Sequence, residues 1–200
     1  MNNLFPVIAI VISYLIGNIS PAILIGRAMG VDIRKEGSGN AGTTNVLRTL
    51  GKKAGAATFI IDTLKGVVAV LLGGYIGGQE LAMYCGLAVF LGHIWPVVFG
   101  FRGGKGIATG FGALLALEPL LALIELAAAA FFFVTTKRVS VGSLAAGVLL
   151  PFTAYCFDPG YLPFAVVMAV IVLFKHRKNI IRLVKGEEPK ISFRKQEGKK

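Results

Sequence analysis

The stretch Gly37-Ser38-Gly39-Asn40-Ala41-Gly42-Thr43-Thr44-Asn45, followed by Arg48 and Gly51, decides how this chain is read, because it is a polar, glycine-rich run set between two long apolar ones. Gly37, Gly39 and Gly42 let the backbone take positive φ and turn successive N–H groups into one concavity, which is how main chain makes a cradle for an anion. Ser38, Thr43 and Thr44 add hydroxyls, Asn40 and Asn45 add amides, and the Arg48 guanidinium offers a fork that matches two phosphate oxygens. A flexible Gly/Ser linker has a similar composition. Position separates the two readings, since this run occupies the one long connection between apolar segments.

Those segments make the chain an all-α integral membrane protein. Of its 200 residues 55% are hydrophobic and 16% charged, and the mean hydropathy is +0.74, far from a soluble domain. The first apolar run follows no basic segment and ends in no small-residue cleavage site, so it reads as a span and not a leader. Cys85 and Cys156 each lie inside an apolar run and read as packing residues. The net charge of +11 does not indicate nucleic acid, because the basic residues flank apolar segments; orientation and anionic lipid account for them.

A bilayer core about 30 Å thick takes roughly 20 residues of helix. On that measure the candidate spans are about 4–26, 54–78, 81–100, 106–117, 119–136, 140–157 and 161–174, giving about seven transmembrane helices. Every Lys and Arg except Lys65 then falls on one face, while the opposite connections carry Glu80, Glu118 and Asp158. The positive-inside rule puts the N-terminus outside and the C-terminus in the cytoplasm. Five spans fit the same charges if 106–136 is a re-entrant element plus one helix. The expected organisation is a single transmembrane domain, 1–188, with a mobile basic tail, 189–200. Gly17-Asn18-Ile19-Ser20-Pro21 should kink the first span, since Pro21 removes a backbone donor and clashes one turn back.

Two more polar clusters share the basic face. Gly103, Gly104 and Gly106 surround Lys105 at the edge of a span, again joining amides, a helix N-terminus and a cation. It is not a Walker A loop, as the spacing and the Ser/Thr after Lys are missing. The third cluster runs Lys175-His176-Arg177-Lys178-Asn179 to Arg182, then Gly186-Glu187; helical spacing puts His176 and Asn179 on one face. Ser143, early in the sixth apolar run, joins the candidate phosphate-binding residues. Asp62 and Lys65, three apart inside the second span, read as a self-paired structural link, because intramembrane charges pair or line a polar cavity. Glu125 has no partner near in sequence, and His93 suits a structural or a functional role equally. Neither histidine is followed by Asp five residues on, no Asp-rich repeat is present to hold Mg²⁺, and there is no nucleophile elbow. No metal or cofactor is expected.

The segments Tyr14 to Arg27, Gly37 to Gly51, Asp62-Thr-Leu-Lys-Gly66, Gly92-His-Ile-Trp-Pro to Gly106-Ile-Ala-Thr, and His176-Arg-Lys-Asn-Ile to Glu187 closely resemble the bacterial acyl-phosphate:glycerol-3-phosphate acyltransferases. The resemblance implies transfer of a fatty acyl group from acyl phosphate to the sn-1 hydroxyl of glycerol 3-phosphate. The product would be lysophosphatidic acid, made at the inner, cytoplasmic membrane of a bacterium by a multi-pass enzyme facing the cytoplasm. It implies catalytic roles for Ser38, Arg48, His176 and Asn179. It implies glycerol 3-phosphate contact for Gly103, Gly104, Lys105 and Gly106 and a role for Glu187, while the anion cradle adds Gly37, Gly39, Asn40, Thr43 and Asn45 to Ser143 as expected substrate or phosphate contacts, with Asp62 and Lys65 as support. Expected partners are the two substrates and membrane lipid, with no nucleic acid and no obligate protein. Half-helix termini also suit a small anion transporter, the competing expectation.

Overall fold

The computed structural model describes residues 4–191, and among them every regular element is helical. The chain opens with α1 (Leu4–Asn18) and α2 (Pro21–Ala28), separated at the expected break. Pro21 has no N–H to give the Gly17 carbonyl one turn back. The ammonium of Lys65 supplies the missing donor, 3.1 Å from that oxygen and 2.7 Å from the carbonyl of Ile19. The break is therefore covered by protein, the condition for irregular backbone at membrane depth.

The polar stretch leads into α3 (Thr43–Leu50), and α4 (Lys52–Ile94) follows. Its 43 residues would make a rod about 65 Å long, twice the hydrocarbon thickness. Instead the helix breaks at Gly77 and Gly78, where Gly78 takes φ 71°, and the chain turns back on itself. The two limbs then meet in antiparallel register: Gly73 packs against Leu81 and Ala82 so closely that a Cβ there would lie 2.7 Å from the Leu81 carbonyl oxygen. Farther down, Asp62 reaches His93. The expected spans 54–78 and 81–100 are these two limbs. Gly73 through Gly78 thus serve close packing and reversal.

After a 3-10 turn at Val97–Phe99 come α5 (Ile107–Leu117), α6 (Pro119–Thr136), α7 (Val139–Phe157), α8 (Leu162–Lys175) and α9 (Arg177–Val184). Glu118 caps α6 by accepting from the Leu120 amide, and Pro119 occupies the first helical position, where its missing N–H does no harm. The core lies where Phe90, Ile94, Leu114, Leu121, Leu150, Phe164 and Met168 converge. Large apolar side chains such as Tyr75, Phe131, Phe152 and Val170 face outward, as lipid contact requires.

Among the described residues four helical stretches are long and apolar enough to cross a membrane, Leu4–Ala28, Lys52–Phe99, Pro119–Thr136 and Val139–Phe157; the pair Pro159–Lys175 and Arg177–Val184, bent by 58°, makes a fifth if taken as one. This is fewer than the seven expected. The difference arises because α4 is one long apolar stretch that folds back, and because α5, at roughly 16 Å, is too short for the same measure.

Candidate active site

The loop before α3 is built around Asn45, which is buried. Its Nδ2 donates to the carbonyls of Ile33 and Glu36, both at 3.0 Å, and its Oδ1 accepts from the Ser38 amide at 2.8 Å. Asn45 is thus fully engaged in holding the loop and has no donor left for a ligand, contrary to the phosphate-contact role expected of it. Gly37 sits at φ 56°, and a Cβ there would overlap Asn45 Oδ1, so glycine at 37 permits this arrangement. Neither Gly37 nor Gly39 lines the cavity. What the loop delivers to it is Ser38, Asn40 and the start of α3, where Gly42 offers no side-chain cap. The Thr43 hydroxyl there is buried without a partner among the described residues, leaving donors aimed at whatever enters.

That cavity, about 190 Å³, gathers Ser38, Asn40, Thr43, Asn45 and Arg48 from the loop and α3, Asp62 and His93 from α4, Lys105 and Gly106 before α5, Ser140 and Ser143 on α7, and His176, Asn179, Arg182 and Glu188 around α9. Three clusters far apart in sequence become one site. Arg48 makes no ion pair among the described residues. Burial, joined by the charges of Arg182, Lys175 and Arg48, holds the Lys105 ammonium down to about 8, against the pull of the Glu188 carboxylate. A cation so placed gains strongly from an incoming anion.

His176 lies where α8 bends into α9. Its Nδ1 is 2.9 Å from the Val172 carbonyl, which can only accept, so Nδ1 carries the proton and Nε2 keeps its lone pair. Burial, with the Lys105 charge, holds this histidine down to about 4, so it is neutral across the physiological range. Asn179 accepts from Lys105 Nζ and donates to Glu188 Oε1 at 2.6 Å. Both ends of its amide are engaged, and it positions Lys105.

The carboxylate of this network is Glu188, where the sequence pointed to Glu187. Glu187 is exposed, whereas Glu188 is buried and accepts from Ser140 at 2.6 Å, Asn179 at 2.6 Å and Arg182 at 2.7 Å. Burial raises its carboxyl pKa, but these hydrogen bonds outweigh that and hold it below the ordinary value. Arg138 donates to its backbone carbonyl at 2.9 Å, and the Ile191 amide donates to the Lys137 carbonyl at 2.9 Å. Pro189 and Ile191 thereby wall the cavity, so the domain extends past the expected boundary at 188; the rest of the expected tail, 192–200, lies outside the described residues. Glu188→Ala is expected to lower kcat/KM by about tenfold or more, since it strands hydrogen bonds worth about 1.5–3 kcal/mol each. Glu187→Ala is expected to stay within about twofold of wild type, as for other exposed changes. Equal losses in steady-state assays of the two variants would reverse this assignment.

Lys65 Nζ lies 2.8 Å from Asp62 Oδ1 and 2.9 Å from His93 Nδ1, so the expected self-paired link also includes His93. His93 in turn explains Gly103 and Gly104. The Gly104 amide donates to the His93 carbonyl at 3.1 Å, and a Cβ on Gly104 would overlap His93 Nε2. Neither glycine lines the cavity. Their expected ligand contacts are replaced by close packing that fixes Lys105. Sequence reasoning also missed Ser140, whose spacing of three from Ser143 was the available signal. Lys175 turns away and stacks over Trp95, 5.3 Å from the ring centre.

Beside this cavity an apolar groove of about 110 Å³ descends among α4, α5, α6, α7 and α8, sharing Phe59, Gly106, Ile107 and Ser143 with it. Fold and site together define a multi-pass helical membrane protein with a cationic cavity for anionic ligands opening onto a lipid-like groove. A family model described as glycerol-3-phosphate acyltransferase matches residues 7–186. A glycerol-3-phosphate acyltransferase of Alkaliphilus metalliredigens (strain QYMF) is 44% identical over 92% of this chain and 95% of its own length. One from Thermoanaerobacter sp. (strain X514) is 46% identical over 94% and 96%. The crystal structure of PlsY (YgiH), an integral membrane glycerol 3-phosphate acyltransferase, in its glycerol 3-phosphate form is similar with a TM-score of 0.90 and 36% identity, over 94% of this chain and 96% of that one. Its lysophosphatidic acid form gives 0.87 and 35%, over 94% and 95%. The chain belongs to the glycerol-3-phosphate acyltransferase family, and it is an acyltransferase.

Proposed function

We propose that this protein moves a fatty acyl group from an acyl phosphate to the sn-1 hydroxyl of glycerol 3-phosphate, giving lysophosphatidic acid and inorganic phosphate. The observation that carries the reading is the continuity of a cationic, hydroxyl-lined cavity with an apolar groove through Phe59, Gly106, Ile107 and Ser143. Two phosphates and one chain are the ligands such a pair of compartments fits. Crystal forms of the related PlsY with glycerol 3-phosphate and with lysophosphatidic acid support it. In this reading the enzyme lies in the bacterial inner membrane with its site toward the cytoplasm and its N-terminus outside. The α1–α2 unit, both limbs of α4, and α5, α6, α7 and α8 act as seven crossing segments.

In the reaction the sn-1 oxygen attacks the acyl carbonyl carbon, a C–O bond forms there, and the bond from that carbon to the phosphate oxygen breaks. Phosphate is a good leaving group, so no acyl-enzyme is needed. The protein supplies positioning and positive charge. Arg48, Lys105, Arg182 and the N-terminus of α3 neutralise the phosphates, while Ser38 and Ser143 orient them. The hydroxyl proton passes to a substrate phosphate oxygen, a better acceptor than His176: a phosphate monoester has a second pKa of about 6, above the value of about 4 for this histidine. His176 Nε2 accepts instead from the neighbouring sn-2 hydroxyl of glycerol 3-phosphate, and so aims the sn-1 oxygen while the sn-1 proton faces the phosphate. His176→Gln, which keeps a hydrogen-bonding group, is expected to lose about ten- to a hundredfold in kcat/KM. A loss of several orders of magnitude in kcat with both KM values unchanged would make His176 the base instead. Purified protein is expected to release lysophosphatidic acid from acyl phosphate and glycerol 3-phosphate; phosphate flux in liposomes without that product would favour a transporter.

A further inference from the structure

At the far end of the groove stands Glu125, the one carboxylate among its lining residues. It is 6% exposed. One carboxyl oxygen, Oε1, accepts from the Thr153 hydroxyl at 2.7 Å, while the other, Oε2, is buried with no partner among the described residues. Along α7 the groove runs from Ser143, at the polar cavity, to Leu150, and along α5 from Gly106 to Leu114. At 1.5 Å per residue these runs are roughly 10 and 12 Å, and Thr153, one turn beyond Leu150, sets the carboxyl roughly 15 Å from Ser143. That depth is about half of the hydrocarbon thickness. The mechanism gives Glu125 nothing to do, and packing alone gives no reason for a carboxyl on an apolar wall.

We propose that Glu125 determines which acyl chains the enzyme prefers, acting as a polar stop at the end of the acyl groove. The inference rests on the assignment of the groove to the donor's chain, which its continuity with the cavity supports. A chain that ends above Glu125 leaves room for water on Oε2, since the groove can hold a few waters at about 30 Å³ each. A chain that runs past strips the oxygen and offers methylenes in place of a hydrogen bond. The penalty falls on long chains alone, so Glu125 restrains preference for them without touching the reacting atoms.

The test compares kcat/KM for hexadecanoyl phosphate and decanoyl phosphate in purified wild type, Glu125→Met and Thr153→Val. Met is close to Glu in size and removes the polar end. The long-to-medium ratio is expected to rise about tenfold in Glu125→Met, the equivalent of one unfavourable polar burial removed. In Thr153→Val, where both carboxyl oxygens are left unpartnered, it is expected to fall. The opposite direction of the second variant carries the test if the first does not fold. Ratios within about twofold of wild type in the variants that fold would overturn the proposal. Wild type that transfers neither chain would overturn the function itself, and so is told apart from a failure of this inference.

Discussion

Lys105→Ala lowers kcat/KM for glycerol 3-phosphate by about a hundredfold, with the protein still folded. The magnitude follows from one charge-assisted contact to phosphate, about 1.5–3 kcal/mol, together with the loss of the group that Asn179 and Glu188 are arranged to hold. Arg48→Ala should act in the same direction by less, because Arg48 is exposed and screened by solvent. The sign of the pH effect is fixed as well. Lys105 is held down to about 8, so its charge is present below that value and lost above it. Wild-type activity is therefore expected to decline through the region just above pH 8, and Lys105→Arg should shift that decline upward, because a guanidinium keeps its proton. Steady-state kinetics from pH 6 to 10 measure both effects. Wild-type kinetics in a folded Lys105→Ala protein would remove Lys105 from the site.

The largest effect on stability is expected at Lys65, not at any cavity residue. Lys65→Met leaves the buried Asp62 carboxylate facing only His93 and strips the donor from the carbonyls of Gly17 and Ile19. Breaking a buried ion pair from one side costs about 3–5 kcal/mol. Asp62→Asn combined with Lys65→Met should recover part of that loss by removing the stranded charge. Thermal unfolding in detergent, followed by helical circular dichroism, reads both variants. An unchanged transition in Lys65→Met would mean that the pair contributes nothing to the fold.

The helical class and most segment positions were legible because hydrophobic runs of bilayer length have few alternatives. The proline break was legible because Pro21 acts through its own backbone. Three polar clusters could be picked out for the same local reason. What each residue does within them was less legible, since that depends on neighbours distant in sequence. Asn45 and Ser38 look alike as donors until Asn45 is seen bonded to Ile33 and Glu36. Gly103 and Gly104 look like a phosphate loop until the chain, turning at Val97–Phe99, is seen to fold them back against His93 at the end of α4. Glu187 and Glu188 are adjacent and chemically identical, and only the approach of Ser140 and Arg182 separates them. Glu125 had no partner within reach along the chain; Thr153 comes from the neighbouring helix.

The ammonium that caps the α1–α2 break also bears on the order of assembly. As the chain emerges from the ribosome, Gly17 and Ile19 are made well before Lys65, the donor for both of their carbonyls. Until then the first span carries exposed backbone acceptors that hydrocarbon cannot satisfy, so its final insertion waits on the arrival of α4. A chain truncated before Lys65 is therefore expected to leave that span accessible to water-soluble thiol reagents at an introduced Ala22→Cys, while the full chain, with Cys85 and Cys156 replaced, protects this fully buried position.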